Sequence, residues 1–139
     1  MKKFIAWPVM VFMVFLCWAS FSFAQQNTNT AEENMAILLA EPPLTQADID
    51  AFVKYAPELY KLPEGDDEGA QKILQKAGWT DVRSAYVAFK IAAATSIKTD
   101  PSSAVIFEAM MPEMMPLPAE QALVEKNMDQ ILKVSEQFR

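Results

Sequence analysis

Two hydrophobic patterns divide the chain. From Phe4 to Trp18 the residues are almost continuously apolar, whereas beyond Ala24 apolar residues recur every three or four positions between polar ones. The second pattern is that of a helix with one buried face, and it predicts a series of α-helices.

The first predicted helix follows Thr30, which with Glu33 forms a Thr-x-x-Glu capping box. Met35, Leu38 and Leu39 share one face, and Pro42-Pro43 stops the helix and holds the next residues extended. The second helix begins at Thr45, with Asp48 at the third helical position and Leu44 and Ile49 flanking the cap as a hydrophobic staple. Its face runs through Ile49, Phe52, Val53 and Ala56, and Pro57 predicts a kink or a new turn. Leu59, Tyr60 and Leu62 continue the apolar character.

After the acidic turn Pro63–Gly69, a third helix carries Ala70, Ile73, Leu74 and Ala77. Gly78 suits the left-handed residue after its end, and Trp79 is placed to fold back on Leu74. Thr80 or Asp81 caps a fourth helix, Val82 to Ile97. One stripe there is Val82, Ala85, Tyr86, Phe89 and Ala93, and a second is Val87, Ile91 and Ala94. Apolar character on two faces predicts a central helix, with Arg83 and Lys90 on the remaining polar face; Lys90 is expected to reach solvent, the alternative being a buried, perturbed lysine.

A fifth helix is capped by Asp100 with Pro101 at its first position. Val105, Ile106, Phe107 and Met110 form its apolar surface until Pro112. Pro116 keeps the chain extended to a last helix starting near Pro118. There Val124, Met128, Ile131 and Phe138 align, Leu123 and Leu132 widen the face, and Asp129 and Lys133 form an i,i+4 pair.

The apolar run at the start is an export signal. Lys2 and Lys3 supply the positive end, Phe4–Trp18 the apolar region, and Ser22 and Ala24 the small residues read by a signal peptidase. Cleavage is expected between Ala24 and Gln25. The alternative is an uncleaved helix, residues 4–24, long enough to span a bilayer. Leu16 before Cys17 argues against lipidation there. The domains are therefore 1–24 signal peptide, 25–30 flexible leader and 31–139 a single all-helical domain.

Composition narrows the chemistry. The sequence has no histidine, and its one cysteine, Cys17, lies in the signal. After cleavage a Ser-His-Asp or Cys-His catalytic site and the usual zinc ligands are all unavailable, as are disulfides. All eighteen acidic residues but only ten of the twelve basic ones follow Ala24, a net charge of −8. That balance excludes a basic nucleic-acid surface and disfavours anionic lipid. Three glycines in 139 residues favour helices over strands and turns.

Candidate chemistry is sparse. Met110, Met111, Met114 and Met115 flank Pro112 and Glu113, and thioethers are soft ligands that select Cu(I). The same methionines also suit gap-filling in a proline-rich connection, or a pliable surface for apolar peptides. Glu64, Asp66, Asp67 and Glu68 offer oxygen ligands for Ca²⁺ but lack EF-hand spacing, and they suit a negatively charged helix start better. No two carboxylates are singled out as a glycosidase pair. Trp79, Tyr86 and Phe89 suit a pocket lining or, better, helix packing.

The expectation is an all-α fold, a compact five- or six-helix bundle or orthogonal helical array preceded by a signal peptide. The double-lysine signal followed by Ser22–Gln26 suits a bacterial periplasm; the alternatives are secretion and anchoring to the inner membrane by an uncleaved helix, residues 4–24. The expected function is non-catalytic binding of a protein or apolar ligand, with no cofactor, no nucleic acid and no membrane after cleavage. Cu(I) binding through the methionine cluster is the alternative, and a carboxylate-based hydrolase the second. No catalytic residue is assigned.

Overall fold

Local signals along the chain set most of the helix starts. In the computed structural model, which describes residues 31–137, the first helix is α1 (Ala31–Leu39) and the second α2 (Gln46–Tyr60). Expectations for the signal, its cleavage site, the leader, Thr30 and Phe138 lie outside those residues. Thr45 caps α2 as the sequence implies. Its hydroxyl accepts the Asp48 N–H, and the Asp48 carboxylate accepts the Thr45 N–H at 3.0 Å. Pro57 lies inside α2 without ending it. The missing N–H is tolerated because both sides of the proline are held by packing. Phe52 and Ala56 enter one apolar cluster and Leu59 another.

Helix α3 (Asp67–Ala77) starts at Asp66, whose carboxylate accepts the Gly69 N–H at 2.9 Å. The acidic turn thus acts as a helix cap, and among the described residues no group of three or more Asp, Glu, Cys or His side chains is placed to hold a metal. Gly78 ends α3 at φ +77°, a region open to glycine, and the Trp79 N–H bonds the Leu74 carbonyl at 3.0 Å. Thr80 then caps α4 (Asp81–Thr99), its hydroxyl accepting the Arg83 N–H at 3.1 Å.

Central placement of α4 holds: it packs against α1, α2, α5 (Ser103–Met110) and α6 (Pro118–Lys126). Its alanines Ala92, Ala93 and Ala94 are fully buried and let neighbouring backbones come close. The larger apolar cluster joins Ile49, Phe52, Val87, Ile91, Val124, Ile131 and Val134. A smaller one joins Leu59, Ala70, Ile73 and Leu74, and Trp79 touches both.

Seven α-helices and one short 3-10 turn, Pro112–Met114, are present among the described residues, with no strand. The all-helical class is as expected. The count exceeds five or six because the last predicted helix is two, α6 and α7 (Met128–Glu136). They part at Asn127, at φ −104° and ψ 13°. The Asn127 amide donates to the Leu123 carbonyl at 2.8 Å and to Gln46 Oε1 at 3.0 Å, and its own oxygen accepts from Gln46 Nε2. An asparagine side chain competing for backbone partners is a known helix breaker, and here a partner on α2 holds it in place.

Candidate functional site

Two features of α4 and its neighbours depart from an ordinary helical core: a buried ionic network and an apolar helix face left in solvent.

The network replaces the polar face expected for Arg83 and Lys90. Lys90 is only 4% exposed; it does not reach solvent. Its ammonium lies 3.2 Å from Glu120 Oε1, donates to the Met115 carbonyl at 3.0 Å, and sits over the Tyr86 ring. Glu120, 1% exposed, is the acceptor on which four donors converge. Besides Lys90 it takes the Leu44 N–H (2.9 Å), the Tyr86 hydroxyl (2.7 Å) and the Leu117 N–H (2.9 Å). Burial alone raises a carboxyl pKa, but the backbone N–H groups of Leu117 and Leu44, then Tyr86 and Lys90, hold Glu120 below its ordinary value. Tyr86 moves the other way: burial and the bond to Glu120 push its phenol up, so it stays protonated.

Arg83, one helical turn before Tyr86, forms the second half. Its guanidinium pairs with Asp48, approaches Glu41 at 3.5 Å and stacks over the Tyr86 ring at 5.0 Å. It also donates to the carbonyls of Pro42 and Pro43. Prolines have no N–H, so helical or ladder pairing cannot occupy this stretch, and the planar guanidinium fork meets two successive carbonyls. Trp79 Nε1 donates to Asp48 at 3.1 Å. Burial raises Asp48, but the bond from Arg83 and those from Thr45 outweigh it and leave its carboxyl low.

Together these contacts clamp residues 41–45 onto α4, α6 and the first turn of α2. The carbonyls of Pro42 and Pro43 go to Arg83, the Leu44 N–H to Glu120 and the Thr45 N–H to Asp48. Chemically the arrangement is a brace. A carboxyl acting as general acid needs a raised pKa, and both buried carboxyls are held low by donors that saturate them.

The second feature is α5. Its inward arc is Ser103, Ala104 and Phe107, and Phe107 meets Phe89 of α4 edge-to-face at 6.0 Å. The outward arc carries Val105, Ile106, Ala109 and Met110, with Glu108 at its edge, and all five are exposed. Val105 is 68%, Ile106 60% and Met110 72% exposed, and α5 has no buried residue. The sequence pattern predicts burial of this surface, and the structure instead turns it to solvent. Asp100 does not cap α5 as expected; its carboxylate binds the N–H and hydroxyl of Ser102, and the helix starts at Ser103.

The methionines fall in different surroundings. Met110 is exposed on α5, Met111 and Met115 are half-buried, and Met114 is 1% exposed. Met114 therefore anchors the connection while Met110 extends the outward face. A shared four-sulfur site draws no support from this division. Of the three aromatics, Trp79 bridges the two apolar clusters, Tyr86 buries its hydroxyl on Glu120 and Phe89 packs on Phe107.

Glu120 was not singled out by residue pattern, although a signal exists: with Pro118 at the first position, it occupies the third helical position, where a carboxylate reaches back to the backbone. Its 2.9 Å bond to the Leu117 N–H is that contact. Compared with protein-family models, curated proteins and solved structures, the chain matches none.

Proposed function

We propose that the chain is an exported, non-catalytic binding protein, freed from its signal after Ala24 and working in the periplasm. In this reading the outward face of α5 takes the apolar surface of another protein. One observation carries it: Val105, Ile106 and Met110 stand more than half exposed on a helix whose outer arc has a single charged residue. Surface helices ordinarily place polar residues there, and contiguous exposed apolar surface marks interaction sites.

Magnitudes bound the kind of binding. Covering the exposed part of these three side chains contributes about 1–2 kcal/mol each. Loss of rigid-body freedom costs at least ~4 kcal/mol and offsets most of it. The face alone supports weak, reversible contact, and a tighter complex draws in neighbours such as the exposed Leu117. Met110 suits such a surface because a thioether side chain adapts to varied partners.

The test is photocrosslinking in intact cells. A photoreactive residue at position 106 should give a discrete protein adduct, while one at the equally open position 72 on α3 should give none. Adducts of equal yield at both positions, or none at either, would remove the proposal.

A further inference from the structure

From the α5 face read as a binding surface, we infer the class of partner: a basic amphipathic segment, apolar on one side and bearing Lys or Arg beside it. Charge around the face carries the argument. No Lys or Arg occurs between Lys98 and Lys126, an interval that includes all of α5, the 3-10 turn and Leu117. The acidic residues of that interval are Asp100, Glu108, Glu113, Glu120 and Glu125.

Three of these are already engaged: Asp100 with Ser102, Glu120 within the buried network, and Glu125 with Lys98 at 3.4 Å. Glu108 and Glu113 are not. Both are exposed and neither has an ion-pair partner among the described residues. Glu108 lies one turn from Val105 on the same helix, and Glu113 follows Met110 by three residues in the 3-10 turn. The result is an apolar strip edged by unpaired negative charge.

That edge discriminates between occupants. A second copy of this chain presenting the same face would offer the strip no cation from residues 99–125, only further carboxylates. An anionic lipid surface would be repelled. An apolar segment with acidic flanks would meet the same like-charge cost, which amounts to a specificity device. A segment with Lys or Arg beside its apolar residues satisfies both parts of the surface.

The chain, purified after export, is titrated with two synthetic amphipathic peptides of about four helical turns. One has leucine and lysine, the other leucine and glutamate in the same pattern. The expected result is saturable binding of the Leu/Lys peptide, about tenfold tighter than the Leu/Glu peptide and weakened by salt. The E108K/E113K variant should erase that preference with no change in melting temperature, and I106S should weaken both peptides. Equal binding of the two peptides overturns the inference but leaves apolar binding by α5 intact. Binding of neither overturns it too, and a position-106 crosslink in cells would then preserve the broader reading alone. Self-association abolished by I106E, or binding to neutral phosphatidylcholine vesicles in place of the Leu/Lys peptide, also overturns it.

Discussion

The Lys90 ammonium lies 3.2 Å from the Glu120 carboxylate, with both side chains almost wholly inside the protein. Lys90 belongs to α4 and Glu120 to the first turn of α6, so the pair ties together two elements whose paired residues lie 30 positions apart in sequence. Lys90 also holds the Met115 carbonyl. The connection that follows α5 is therefore fixed to the central helix, which gives the outward face a rigid base.

Removing one partner should cost far more than the pair's net worth. Lys90→Met leaves a buried, uncompensated carboxylate and should destabilise by about 3–5 kcal/mol. Glu120→Gln keeps an acceptor for part of the donor set, so it should cost less than Glu120→Leu, which strands the Leu44 and Leu117 N–H groups and the Tyr86 hydroxyl. In urea unfolding, the K90M/E120Q double variant should lose about 1–3 kcal/mol less than the two single losses combined. Strict additivity would show that the two residues do not interact.

Acid should loosen the brace. The native pKa values of Asp48 and Glu120 are both depressed, so their stabilisation is fully present above the ordinary unfolded carboxylate value, about 4. As pH falls through that value toward the lower native ones, the unfolded chain takes up protons first and stability is lost. Melting temperature should therefore fall from pH 5 to pH 2 by less in Asp48→Asn than in the parent chain. Parallel curves would show that Asp48 does not contribute.

Arg83→Lys tests the clamp on residues 41–45. A lysine keeps the charge but has no planar fork, and cannot serve Asp48, Pro42 and Pro43 together. The expected loss is about 1–3 kcal/mol, with faster hydrogen exchange at the Leu44 and Thr45 amides. An unchanged exchange rate at those two amides would mean that Glu120, Asp48 and the prolines hold the segment without the guanidinium fork.

Helix starts and the tight α3–α4 link were legible in the sequence because their causes are local. Thr45 and Asp48 lie three residues apart, and Gly78 bonds within its own turn. The division at Asn127 was not legible, because its side chain is held by Gln46, 81 residues away. Lys90 is buried, the less expected of its two placements, and its partner was hidden for the same reason: the carboxylate lies on another helix. The hydrophobic pattern of α5 shows which residues favour burial, but it does not supply a neighbour to bury them. Phe107 finds Phe89, while Ile106 and Met110 face solvent.

The two environments of the methionine run should respond oppositely to substitution. Met114→Ala removes a filled core position and should cost about 2–5 kcal/mol. Met110→Ser and Ile106→Ser should each change stability by less than ~0.5 kcal/mol, as surface replacements do. Comparable losses at positions 106, 110 and 114 in thermal unfolding would mean that α5 is covered within the chain.

Methyl NMR tests the role of the α5 face most directly. The chain without residues 1–24, labelled at Ile and Met methyls, is mixed with a cell-envelope extract. The Ile106 and Met110 signals should broaden or shift, while those of the buried Ile131 and Met114 stay in place. No change at Ile106 and Met110, or equal change at all four, would contradict a binding role for this face.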